Sequence, residues 1–125
     1  MTRDDVLTPG QLADAAAEAV RSLNHATFPG SGGLTWPVDA YDVITSLSLL
    51  AARLPQAFGQ LDRFLTAQVE TGRVVIDGGE FSGDPAAAIA TASHWLEQAS
   101  AAAGQLAHAL DQGQQAIAYA AAADD

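Results

Sequence analysis

Residues 84–120 read DPAAAIATASHWLEQASAAAGQLAHALDQGQQAIAYA, and the interval between their large apolar side chains decides the fold. Ile89, Leu96, Leu110 and Ile117 recur at multiples of seven, with Ala103 completing the series. A strict interval of seven keeps one stripe of a helix turned toward a partner helix. Seventeen of the forty residues from 84 to 123 are alanine, a composition shared with low-complexity coil, but retention of the heptad argues for a packed helix. Asp84 is placed to cap this helix, and Pro85 suits its first position, where the missing N–H costs nothing. The companion positions are Ala92, Ala99, Leu106, Gly113 and Ala120, mostly small, so the spacing predicts a neighbouring helix approaching closely along them.

That neighbour lies upstream. After Gly32-Gly33, with Pro37 near the first turn and Asp39 and Asp42 beside the positive helix end, Ile44, Leu47, Ala51, Leu54, Phe58, Leu61 and Leu65 alternate by three and four. Val43, Leu50 and Phe64 widen the stripe, and Gly72 is the stop. Pro55 sits inside this helix and removes a donor that the Ala51 carbonyl would otherwise accept, so a bend is predicted there. A connection of about a dozen residues makes the two helices antiparallel neighbours, with facing residue numbers adding to roughly 156. The connection, 72–83, carries a β-prone run before Asp77-Gly78; a two-stranded hairpin alone is marginal, so it reads as an ordered loop laying Val75, Ile76 or Phe81 on the bundle end.

The first helix has a complete start signal. Thr8 caps, Pro9 follows, Gln11 closes a T-x-x-Q box, and Leu7 with Leu12 forms a hydrophobic staple. Leu12, Ala16, Ala19, Val20 and Leu23 then recur at helical spacing until Phe28-Pro29-Gly30 stops the pattern. Gly30-Ser31-Gly32-Gly33 follows a helix rather than a strand and lacks a lysine, so it is a flexible linker and not a phosphate cradle. The fold expected is all-α: residues 1–125 form a single domain, an antiparallel three-helix bundle of one short N-terminal helix and a long hairpin. Helix one faces the first half of helix two, with Leu12 reaching about as far as Leu54.

Beyond that level only two helices remain, and they carry the bulkiest apolar set of the chain: Phe58, Leu61, Phe64, Leu65, Ile89, Trp95 and Leu96. Contiguous exposed apolar surface marks an interface, so Phe58, Leu61, Phe64, Leu65, Ile89 and Trp95 are the candidate partner-binding residues, for a second copy or another helical protein. Two arrangements would remove the interface: the 73–83 loop folding over the patch, or Pro55 dividing helix two to give a compact four-helix monomer.

Composition narrows the chemistry. The chain of 125 residues carries fifteen acidic and five basic side chains, a net charge of −10, which disfavours nucleic acid and anionic membranes. All five bases are arginines, so Schiff-base catalysis and a Walker lysine are excluded, and the absence of cysteine excludes thiolate nucleophiles and thiolate metal sites. His94 and Glu97 stand three apart like half of a metal pair, but His94 and His108 lie fourteen residues apart on the outer face, roughly 21 Å, and cannot share an ion. Asp39, Tyr41 and Asp42 cluster within one turn, where helix-start electrostatics accounts for both carboxylates. No catalytic constellation, cofactor or metal is expected. The opening Met-Thr-Arg-Asp-Asp has no signal-peptide character and no run is long enough to span a membrane, so a cytoplasmic location is expected.

The run Trp36-Pro37-Val38-Asp39-Ala40-Tyr41-Asp42-Val43, followed by Leu47, Leu50 and Ala51-Ala52-Arg53-Leu54-Pro55-Gln56-Ala57, resembles a segment of small uncharacterised helical proteins from high-GC actinobacteria. The lysine-free, alanine-rich composition is similar too. This resemblance covers most of the chain loosely and brings no activity or functional residue with it. The secreted helical hairpins of the WXG100 type differ in both diagnostic places: no Trp-x-Gly stands at the hairpin turn, and the fourth residue after Tyr119 is Ala123, with Asp124 one step too late. The expected function is that of a non-enzymatic helical interaction or scaffold protein; the alternatives are a small-ligand-binding bundle, with a cavity near Trp95 and the 73–83 loop, and a secreted hairpin.

Overall fold

The computed structural model describes residues 6–123; Met1 to Asp5, and Asp124 with its bearing on the tail motif, lie outside the described residues. The fold is all-helical, with α1 spanning Pro9–Ala26, α2 Pro37–Glu70 and α3 Pro85–Ala116, and no strand among the described residues. Two compact units divide the chain: one runs to Ala40 and takes in the residues from Ala120 onward, the other is Tyr41–Tyr119.

The first unit contains α1 and the first turn of α2. The capping box is present in full: the Gln11 N–H donates to Thr8 Oγ1 at 3.1 Å and the Thr8 N–H to Gln11 Oε1 at 2.9 Å. Thr27 closes the helix, its hydroxyl donating to the Leu23 carbonyl at 2.9 Å. The glycine-rich segment, expected as a flexible linker, is instead tied to the helix end. The Ser31 hydroxyl donates to the Ala26 carbonyl at 2.6 Å and accepts from the Gly33 N–H at 3.3 Å. Gly33 passes so close that a Cβ there would lie 1.9 Å from the Ala26 oxygen, so no other residue fits without movement.

The second unit is the hairpin of α2 and α3. α2 runs unbroken through Pro55, which removes the arrangement in which the proline divides it. Its end is a Schellman motif: the Arg73 N–H donates to Gln68 O, the Gly72 N–H to Val69 O, and Gly72 takes φ +70°, a conformation glycine adopts without steric cost. The connection is a turn-rich loop without a hairpin, held by the Gly83 N–H on the Ile76 carbonyl at 2.8 Å. Ile76 and Phe81 are half-buried, whereas Val75 points to solvent. The valine and isoleucine favour extended backbone, but no neighbouring strand is present to pair with them. Asp84 caps α3 by accepting from the Ala87 N–H at 3.1 Å.

Candidate functional site

Two hydrogen bonds between side chain and opposite helix set the hairpin register. Ser48 donates to the Ala107 carbonyl at 3.4 Å, and Ser93 donates to the Asp62 carboxylate; each pair of residue numbers adds to 155. The helices are antiparallel and in the expected register to within one residue. Ala51 and Ala103, level with each other, are the two buried residues among those described. No large side chain is fully enclosed.

This register corrects the companion positions of the α3 heptad. The residues facing α2 beside Ile89, Leu96, Ala103 and Leu110 include Ser93 and Ala107, four residues after a heptad position; of the expected companions, Ala92 and Ala99 are half-buried, Leu106 and Gly113 are exposed, and Ala120 lies past the end of α3. A helical stripe of period 3.5 is satisfied by either step. The serine is tolerated at the seam because its hydroxyl has a carboxylate to meet, and Thr66 adds a second donor to Asp62 at 3.4 Å.

In an antiparallel pair of right-handed helices, residues lying in the same rotational sense from the two seam stripes emerge on the same side. Thr66, Glu70, Ala86, Ser93 and Glu97 line one open groove, of ≈ 500 Å³, and define a polar flank. On the other flank, the register set by these two bonds brings residues whose numbers add to 156 within one residue of level: Leu50 with Leu106, Ala57 with Ala99, Leu61 with Trp95, and Phe64 with Ala92. Leu50 is 38% exposed, Leu106 49%, Leu61 51%, Phe64 60% and Trp95 64%. Eleven residues separate the Leu50 and Leu61 rungs, about 16 Å along the helix, with the alanines as a waist between them.

The six candidate partner-binding residues are therefore redistributed. Leu61, Phe64 and Trp95 share the apolar flank and are exposed. Phe58 and Leu65 are half-buried along the seam, and Ile89, also half-buried, lines the groove on the polar flank. Leu50 and Leu106 belong to the exposed flank and escaped the sequence reading, which placed the open surface only at the distal half; their position one step off the seam was the signal. The loop 73–83 leaves Phe64 and Trp95 open.

Charge follows the same division. Between Val43 and Gln68 on α2 and between Ala88 and Ala116 on α3, the positions of the apolar flank hold no Asp, Glu, Arg or His, and Arg53 stands at its rim. Asp62, Glu70, Glu97 and Asp111 fall on the polar flank. The His94 ring meets the Trp95 ring edge-on, centroids 5.0 Å apart at 73°, and helps hold the indole on its side of α3.

The remaining chemical candidates have local tasks. The Asp39 carboxylate accepts from the Trp36 N–H at 2.8 Å and the Thr35 N–H at 2.9 Å, and these bonds, Trp36 first, hold its pKa below the usual 3.8. That is a helix-start role. The groove on the polar flank matches a ligand pocket in volume, but Glu70, His94 and Glu97 along it are exposed and do not enclose a guest. Among the described residues no cluster of three or more His, Asp or Glu can hold a metal ion, and no helix is long and apolar enough to cross a membrane. The chain matches no protein-family model, no curated protein and no solved structure.

Proposed function

We propose that this chain is a non-enzymatic interaction protein, acting in the cytoplasm, that presents the apolar flank of its α2–α3 hairpin to another helical surface. One observation carries the reading: five large apolar side chains from two helices stand open on one flank, and no side chain larger than alanine is buried among the described residues. With a fully exposed large side chain offering roughly 200 Å², those five present about 500 Å², the upper end of what a monomer shows. A helical partner suits the flank because its rungs follow helical spacing on both α2 and α3 and leave a groove over the alanine waist.

The test is retention from a lysate of the source cells on the immobilised native chain and on the double variant Leu61→Asp/Trp95→Asp. A helical protein, this chain or another, held by the native flank and lost from the variant is the expected result. Equal retention on both, or none on either, refutes the reading.

A further inference from the structure

We infer that the occupant of the apolar flank is a second copy of this chain, docked flank to flank about a two-fold axis that crosses the waist at Ala57 and Ala99. The inference rests on the interaction reading above and names its partner.

Charge selects among partners. In a chain of net charge −10, a basic foreign helix would be drawn to the polar flank, where Asp62, Glu70, Glu97 and Asp111 lie, and not to a flank without a carboxylate, whose one charged neighbour is Arg53 at the rim. What a neutral apolar flank favours is another of its kind. Two copies meeting there keep their carboxylates turned away from each other, so the like charge of the two chains opposes the contact least in this orientation.

The rungs are also self-complementary. Leu50 and Phe64 are each seven residues from Ala57, and Leu106 and Ala92 are each seven from Ala99. A two-fold axis across the waist therefore sets Phe64 of one copy over Leu50 of the other and Leu106 over Ala92, two helical turns from the axis on either side. Trp95 comes level with Ala102 and Ala103 of the second copy, a large side chain over small ones. Every helix then has an antiparallel neighbour across the interface, which is the arrangement of a four-helix bundle.

The area is sufficient. The five large side chains supply about 500 Å² per copy, and Leu54, Ala57, Ala99 and Ala102 between them raise this toward the roughly 800 Å² per partner of a stable interface.

Sedimentation of the purified native chain from about 1 to 500 μM tests the proposal, together with Leu61→Asp, Trp95→Ala and the polar-flank variant Glu97→Ala. The native chain and Glu97→Ala should sediment at twice 12.8 kDa in the upper range. Leu61→Asp places a carboxylate in the contact twice per dimer, level with Arg53 at the rim of the second copy, and should weaken it about 10-fold or more, as should Trp95→Ala. Far-UV circular dichroism of the variants should stay native, since these side chains are exposed in the single copy. The chain has no cysteine, so single introduced cysteines read the axis directly. Ala57→Cys alone should form a disulfide-linked dimer on oxidation, and Gln56→Cys, on the outer face, should not. A native chain that is monomeric throughout, a dimer indifferent to Leu61→Asp, or cross-linking by the Gln56→Cys variant in place of the Ala57→Cys variant overturns the inference. A monomeric chain that still captures a foreign helical protein through the flank overturns the second copy and leaves the interaction reading standing.

Discussion

Ala103→Leu tests the hairpin at its buried level. Ala103 and Ala51 are the buried residues of the described chain and lie within one residue of level in the hairpin register, so added volume at either has no open space to enter. Leucine adds three further carbon atoms. In open surroundings burying them would stabilise by about 0.8 kcal/mol for each methylene, but here they meet the α2 backbone and Ala51. Overpacking of a closed site costs about 1–3 kcal/mol, so the gain is lost and the hairpin is forced apart. At a urea m-value on the order of 1–3 kcal/mol/M, a cost of about 2 kcal/mol lowers the unfolding midpoint by about 1 M. Ala101→Leu, on the exposed outer face two residues away, should shift stability by no more than about 0.5 kcal/mol. Unfolding followed by circular dichroism at one fixed protein concentration compares them, since any self-association makes stability concentration-dependent. Equal midpoints for the two variants, or a gain for Ala103→Leu, would refute the closed packing at this level.

Gly33→Ala should lower the melting temperature, at a cost of at least about 1 kcal/mol, because its methyl group meets the Ala26 carbonyl; Gly78→Ala, with open space around it, should not. Similar melting temperatures would show that the 30–33 turn is not held against the end of α1. Ser93→Ala removes the main donor to half-buried Asp62 and should cost about 1–2 kcal/mol in urea unfolding, with a smaller loss for Thr66→Ala, whose bond is longer. A Thr66→Ala loss greater than that of Ser93→Ala contradicts the assignment. Asp39 has a lowered pKa, so its contribution to the start of α2 is complete above its ordinary value of 3.8 and fades as pH falls through the lower, folded value. Amide exchange at Thr35 and Trp36 should therefore show protection that Asp39→Ala abolishes at neutral pH and that acid removes only below the ordinary carboxylate range; protection indifferent to Asp39→Ala counts against the two bonds.

What was legible in the sequence is what depends on a few consecutive residues. Thr8-Pro9 with Gln11, Asp84-Pro85 and Gly72 mark three helix ends because each supplies a backbone partner or a backbone conformation within one turn. The register was legible too, since a short connection leaves an antiparallel hairpin little freedom to slide. Leu106 and Gly113 are exposed instead of lying in the seam, because a heptad leaves open which of two adjacent residues completes the pair. The Val74-Val75-Ile76 run belongs to an ordered loop, as expected, since its extended preference has no effect without a strand beside it; that Ile76 and Phe81 turn inward and Val75 outward was not legible.

The sequence by itself determined that this chain is helical, where its three helices begin and the first two end, that two of them pair in antiparallel register, and that lysine and cysteine chemistry is absent. These follow from local capping, periodicity and composition, which act without reference to distant residues. The sequence carried the third helix through Ile117 and Ala120, whereas α3 ends at Ala116. The tertiary structure alone decided that Ser93 reaches α2 through Asp62, that Ile89 borders the groove of the polar flank, and that Leu50 and Leu106 join Leu61, Phe64 and Trp95 among the exposed side chains. The reason is rotational: every residue of a helix faces some direction, and only the partner helix, by taking up one stripe, determines which of the remaining stripes is left to water.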